Sequence, residues 1–229
     1  MSYPEILFFG WNSYKFQAPF LSKETKQSSD DLLTWSTPDN RHDIQCGLDG
    51  VFTYKNPEGQ RLQMQTSSSI PSHLDQYYFE CEVKCNVNVA VGLGFTEKDV
   101  EIIGDPLYRK NTLGIEVASS TCDNRISRCQ YGKNTEVEDV KLLQDENAIG
   151  LLLKKTRLGE HQFCLFQSFI NGIQVGHTSI SDRMELYPSI WFGPWGSGDR
   201  TSSVKCNLGD KSFKFDYKTG NCLQRKGQL

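Results

Sequence analysis

No stretch of this chain stays apolar for long. The longest strongly apolar run, AIGLLL at 148–153, is far short of the roughly 20 residues a helix needs to cross a bilayer. The opening MSYPEILFFGW has no basic stretch, and residues 6–9 are too brief for a secretory core, so no leader is expected. No Asn-x-Ser/Thr sequon occurs, and cytoplasmic residence with no membrane contact is the resulting expectation. No segment sustains a 3.6-residue apolar period, which argues against a helical fold. Residues 137–143 would make one short helical turn at most. There is no phosphate-cradling Gly-rich loop, no dinucleotide fingerprint and no G-x-S-x-G elbow. There is also no internal repeat. Lys and Arg are scattered and the formal charge is −3, so nothing marks a nucleic-acid surface.

What is present suffices for one substantial core. A chain of 229 residues can bury around 70% of its unfolded surface. A hydrophobic fraction of 37% with 11% aromatics excludes wholesale disorder. The eight cysteines stand at 46, 81, 85, 122, 129, 164, 206 and 222. A chain this rich in core residues does not need staples, so they read as buried, reduced thiols acting as small hydrophobes. Cys81 and Cys85 share a strand face about 13 Å apart, beyond disulfide reach. Cys122 and Cys129 flank a polar loop and could meet. The nearest thing to zinc-ligand spacing is His161-x-x-Cys164, which falls short of a paired motif. No metal and no cofactor are expected.

The pattern along the chain is strand and turn. FINGIQVG (169–176) reads as a hairpin, because Asn171-Gly172 tolerates the positive φ of a two-residue turn. VKCNLGDKSFKFD (204–216) alternates, with Val204, Cys206 and Leu208 on one side. Tyr77, Phe79, Cys81 and Val83 alternate with Tyr78, Glu80 and Glu82. Val87, Val89, Val91, Leu93 and Phe95 face one way. Asn88, Ala90, Gly92 and Gly94 face the other, and that small row admits a close neighbour to the backbone. Residues 149–153 and 163–166 are apolar on both faces, as in central strands. Residues 154–161 read as a polar hairpin loop. The N-terminal 21 residues carry seven aromatic rings, from Tyr3 to Phe20, and read as an arm packed on the domain. SKETKQSSDD (22–31) is a polar linker. Short strands with frequent turns imply an all-β, antiparallel sandwich.

The order of these segments carries a resemblance. YYFECEV (77–83), VAVGLGFTEKD (89–99), AIGLLL, FINGIQVG, LYPSI (186–190) and NLGDKSFKFD (207–216) together resemble the SPRY domain family. WSTPDNRHDIQCGLDGVFTYKNPEG (35–59) is similar to the entry of the Ran-binding-protein-M type. The resemblance covers roughly residues 32–217, leaving an arm and linker at 1–31 and a tail at 218–229. It implies a concanavalin A-like jelly roll whose end loops bind a protein or short peptide without catalysis, as an adaptor or scaffold. The chain departs from that type at 104–125, where a Pro-Gly-Trp and a Tyr/Gly/Asp-rich segment are missing. The scaffold carries over, and a particular peptide specificity does not.

The loops expected to meet a partner are 97–112, 119–135, 154–162 and 194–203. Within them Tyr108, Arg109, Trp195 and Arg200 are the candidate anchors, since Tyr, Trp and Arg dominate interface hot spots. A monomer is the default. The rival readings are a carbohydrate-binding lectin, with Trp195 as stacking platform, and an enzyme. His177, Ser179 and Asp182 lie close in sequence, but a triad is a matter of geometry. Asp123, Asn124 and Asp199 are too dispersed for a calcium cluster, and Asp30-Asp31 reads as solvated charge.

Overall fold

The structure, a computed structural model, describes residues 33–36, 44–47, 51–55, 61–84, 88–98, 112–119, 124–130, 133–138, 140, 142, 146–181, 184–195, 201–209, 213–216 and 221–222. Every regular element among them is a strand. In chain order these are β1 (Ile44–Cys46), β2 (Val51–Lys55), β3 (Leu62–Gln65), β4 (Gln76–Lys84), β5 (Val89–Thr96), β6 (Thr112–Ser119), β7 (Asn124–Gln130) and β8 (Lys133–Glu136). Then come β9 (Asn147–Leu158), β10 (His161–Ile170), β11 (Ile173–Ser181), β12 (Tyr187–Pro194), β13 (Thr201–Asn207), β14 (Phe215–Asp216) and β15 (Asn221–Cys222). They form a seven-stranded sheet ordered β1-β2-β13-β4-β9-β10-β11 and a six-stranded sheet ordered β3-β12-β5-β6-β7-β8. β14 and β15 make a separate pair. All the described pairs are antiparallel, so the expected all-β sandwich is the fold.

Alternation places the core between the sheets. Phe79, Cys81, Val83, Leu151 and Val204 from one sheet meet Val91, Leu93, Phe95, Ile190 and Phe192 from the other. Rings interlock across the gap: Phe79 and Phe95 lie edge to face at 5.4 Å, and Tyr54 stacks on Phe192 at 5.1 Å. Such pairs add about 0.5–1.5 kcal/mol each beyond burial. The Asn171-Gly172 turn takes φ of 50° and 82°, as its hairpin requires. It is also stitched to β9. The Ala148 amide donates to Asn171 Oδ1 at 2.9 Å, and Asn171 Nδ2 donates to Asn147 Oδ1 at 3.0 Å.

The small row of β5 does admit a close neighbour. Trp191 of β12, fully buried, lies across Gly92 and Gly94 and reaches Gly114 of β6. Its Nε1 donates to Glu116 Oε2 at 2.9 Å, and Arg61 Nη1 pairs with the same oxygen at 3.1 Å. Cys129 packs beside the indole. The other face of β4 is covered as well. Tyr78 packs with Leu152, Phe169 and Phe213, its ring 4.7 Å from Phe213. Buried Glu80 accepts from the Tyr78 hydroxyl at 3.1 Å and from the Lys214 amide at 2.7 Å. This explains why apolar residues stand on both faces of β9, which is central in its sheet.

Three expectations change. Residues 154–161 are mostly strand: β9 runs to Leu158, and only Gly159 and Glu160 form the turn. Paired strands satisfy their backbone groups whatever their side chains, and this hairpin is polar because Lys154, Arg157, His161 and Gln162 face water. No described residue of 137–143 is helical. Val137 continues the β7–β8 ladder by donating to the Ile126 carbonyl at 2.9 Å, while Val140 and Leu142 pack on the core. Finally, Cys81 and Cys206 are joined as a disulfide instead of standing as reduced thiols. They face each other across β4 and β13 with Cα atoms 4.3 Å apart, the close spacing of an antiparallel pair. Spacing within one strand could not show a partner 125 residues away. The N-terminal arm and linker lie outside the described residues.

Candidate functional site

The sandwich has two ends with different character. β4 and β12 finish at one end, where β5 and β13 begin; Trp195 stands there. At the other end β3 and β5 finish and β4, β6 and β12 begin, with Tyr77 beneath them.

At the first end, Trp195 is half-buried, and its amide donates to the Asn88 carbonyl at 3.0 Å. Asn88 holds a φ of 73°, a left-handed value that Asn tolerates better than most residues. The Arg125 guanidinium lies 5.1 Å from the centre of the Trp195 ring. Its Nε pairs with Glu136 at 3.2 Å. Ring and guanidinium therefore form a fixed, solvent-facing pair, of a kind worth about 0.5–1 kcal/mol at an exposed site. Sequence reasoning chose Trp195 but missed Arg125, which sits one residue into β7 and reaches the ring only through the sheet order.

Tyr108, Arg109 and Arg200 lie outside the described residues. Thr96 and Thr112, the described residues either side of 97–111, pair with each other at the opposite end from Trp195. The 154–162 hairpin also stands at that opposite end. The four loops taken together in the sequence therefore flank both ends of the sandwich.

The second end holds a cavity of about 490 Å³. Residues 69–76, the β9–β10 hairpin and residues 184–186 frame it. Its lining mixes apolar residues (Ile70, Leu74, Leu153, Met184 and Leu186) with polar ones (Ser72, Asp75, Gln76 and Gln162), and Tyr77 also borders it. At the rim, Lys155 Nζ donates to the Ser72 carbonyl. Glu185 Oε1 accepts from Ser69 at 3.1 Å and from the Tyr187 hydroxyl at 3.0 Å. Tyr77 is 3% exposed, and its hydroxyl has no hydrogen-bond partner among the described residues. Desolvation by burial pushes its phenol well above the usual tyrosine range. The cavity was not legible as such. Its only trace in the sequence is apolar residues inside connections: Ile70, Leu74, Met184 and Leu186.

Among the described residues, the sequence neighbours weighed for catalysis or zinc lie as follows. His177 and Ser179 are both exposed on the edge strand β11, and Asp182 lies outside the described residues. His161 is exposed while Cys164, on the opposite face of β10, is buried. Among the described residues no group of three His, Cys, Asp or Glu is placed to hold a metal.

No protein-family model matches the chain, and no curated protein matches it by sequence. Solved structures match it in fold. A human SPRY domain does so with a TM-score of 0.52 and 14% identity, over 78% of this chain and 99% of that one. Stonustoxin matches with a TM-score of 0.51 and 13% identity, over 76% of this chain and 28% of the toxin chain. The carbohydrate recognition domain of Emp46p, in a potassium-bound form, matches with a TM-score of 0.49 and 11% identity, over 76% of this chain and 88% of that one. At such identities the likeness to the first two is one of fold alone, an antiparallel β-sandwich.

Proposed function

We propose that this chain is a non-catalytic protein-interaction module of SPRY type, of the Ran-binding-protein-M kind, that grips a protein or peptide partner at the Trp195 end. The observation that carries the reading is the Trp195–Arg125 pair: an aromatic face and a guanidinium held at a fixed place by backbone and ion-pair contacts. Both residue types contribute disproportionately to interface energy. The order of strand motifs in the sequence and the fold shared with a human SPRY domain support the same reading. Arg200, in the same connection as Trp195, is the next anchor. Tyr108 and Arg109 remain candidate anchors.

Affinity capture from the native cell tests this. Wild-type protein is compared with Trp195→Ala/Arg200→Ala and with Tyr108→Ala/Arg109→Ala, each checked for unchanged circular dichroism and melting. Loss of a reproducible polypeptide partner with the first variant is the expected result. Equal capture by wild type and the first variant removes Trp195 and Arg200 from the site, and the second variant decides whether Tyr108 and Arg109 belong to it.

A further inference from the structure

Four strands stand at sheet edges: β1 and β11 in the seven-stranded sheet, β3 and β8 in the six-stranded one. An edge strand presents a row of unpaired N–H and C=O groups, and proteins keep such rows short or charged to prevent foreign pairing. Three of the four edges follow that rule. β1 has three residues, β3 has four, and β8 has four, of which Lys133 and Glu136 are charged. β11 does not follow it. It runs for nine residues with no Asp, Glu, Lys, Arg or Pro, in a chain that is 23% charged. Among the described residues its strand partner is β10 alone. A bulge at Val175 disturbs its beginning, but from Gly176 to Ser181 the register is regular. His177, Ser179 and Ser181 are exposed along that stretch. Beside them on the same face, Phe163 and Leu165 of β10 are only half-buried.

We propose that β11 is the interface of a symmetric dimer, in which Gly176–Ser181 of one copy pairs antiparallel with the same segment of a second copy. The occupant follows from the strand's chemistry. A charged segment would find no counter-charge along β11, whereas β11 is compatible with itself. A two-fold axis through Thr178 sets His177 opposite Ser179 and Gly176 opposite Ile180. An axis through Ser179 sets His177 opposite Ser181 and Thr178 opposite Ile180. Neither register places like charges together, and hydroxyl-bearing and β-branched side chains are favourable neighbours across antiparallel strands. A two-fold contact uses the same patch on both copies, so it closes and consumes both long edges at once. It joins two seven-stranded sheets into one continuous sheet whose remaining edges are the three-residue β1 of each copy. Phe163 and Leu165 border the seam. This interface does not rest on the reading of the Trp195 end.

Sedimentation velocity of the full chain, from micromolar to hundreds of micromolar, tests it, with amide hydrogen exchange at both ends of that range. Wild type should dimerise, and the amides of residues 176–181 should gain protection at the higher concentration. Ser179→Lys sets a lysine opposite its own copy or beside the axis, and should raise the dimer dissociation constant at least about tenfold. Ser179→Thr keeps the hydroxyl and the strand preference, and should dimerise as wild type does. Should Ser179→Lys fail to fold, the wild-type exchange data and Ser179→Thr still decide. A single monomeric species at every concentration, concentration-dependent protection centred elsewhere, a folded Ser179→Lys that dimerises as tightly as wild type, or a monomeric Ser179→Thr would each overturn the proposal.

Discussion

Replacing Gly92 by alanine is the sharpest test of the packing described here. A Cβ at Gly92 would fall on the Cε2 and Nε1 atoms of Trp191. The indole has little room to slide along the strand, because it already lies close over the backbone at Gly94 and Gly114, where an added Cβ would stand only 2.9 or 2.7 Å from it. The ring must lift, which costs about 1–3 kcal/mol as overpacking in a filled interior. Lifting it also pulls Nε1 from Glu116, a buried carboxylate that then keeps the Arg61 contact with one fewer donor. A hydrogen bond to a charged group is worth about 1.5–3 kcal/mol. The two effects together come to about 2.5–6 kcal/mol. For a chain of this size that lowers the melting temperature by on the order of 10 °C. Thermal and urea unfolding of Gly92→Ala, Trp191→Phe and the double variant measure it. The smaller ring in the double variant should relieve the overlap, giving a coupling of at least about 1 kcal/mol. A Gly92→Ala melting point within about 2 °C of wild type, or strictly additive costs, would refute the claim that this glycine exists to seat the indole.

Three further outcomes follow. The 125-residue separation of Cys81 and Cys206 puts the loop-entropy contribution of their bridge at up to about 5 kcal/mol. Cys206→Ala should therefore lower the urea midpoint under oxidising but not reducing conditions, and thiol alkylation of native protein should label the pair only after reduction. Cytosolic glutathione would hold the same pair reduced, so that labelling experiment also reports on the compartment. The second outcome concerns alkaline pH. Burial raises the Tyr77 phenol, so above about pH 10 the unfolded chain releases a proton that the folded chain keeps. Stability should then fall with rising pH by up to about 1.4 kcal/mol per unit, a slope that Tyr77→Phe reduces; an identical alkaline slope in the variant would contradict it. Third, a glycan array with and without calcium should show no specific binding, and any calcium-dependent signal would revive the lectin reading.

Much of the fold could be read from residue order. Period-two alternation at 77–83 and 89–95 is imposed by the pleat, so it named the core face of β4 and β5 directly. Asn171-Gly172 named its own turn because few other dipeptides accept both φ values. What stayed hidden depends on partners distant in the chain. Tyr78 and Glu80 stand opposite the apolar row of β4, and Leu152, Phe169, Phe213 and Lys214, all far along the chain, cover them. Cys206 was recognised as inward but not as facing Cys81, because register between β4 and β13 is set by the whole sheet. The polar 154–162 segment misled because side-chain polarity was taken for irregular backbone. Of the candidate site, Trp195 was picked out by residue type alone. Arg125 and the Tyr77 cavity were not, since both are made by elements that meet only after folding.

Each sheet is completed from the C-terminal side of the chain. β13 inserts between β2 and β4, and β12 between β3 and β5. On the ribosome, β4 therefore waits for roughly 120 further residues before its neighbour β13 exists, on the order of 6–25 s at ordinary translation speed. Until then two strand edges stand open to foreign pairing. The β9–β10–β11 meander, by contrast, can zip as it emerges, because its contacts are local. A stop codon anywhere before Thr201 would not shorten a finished protein; it would leave β2 and β4 with no strand between them, as an aggregation-prone fragment that quality control should clear.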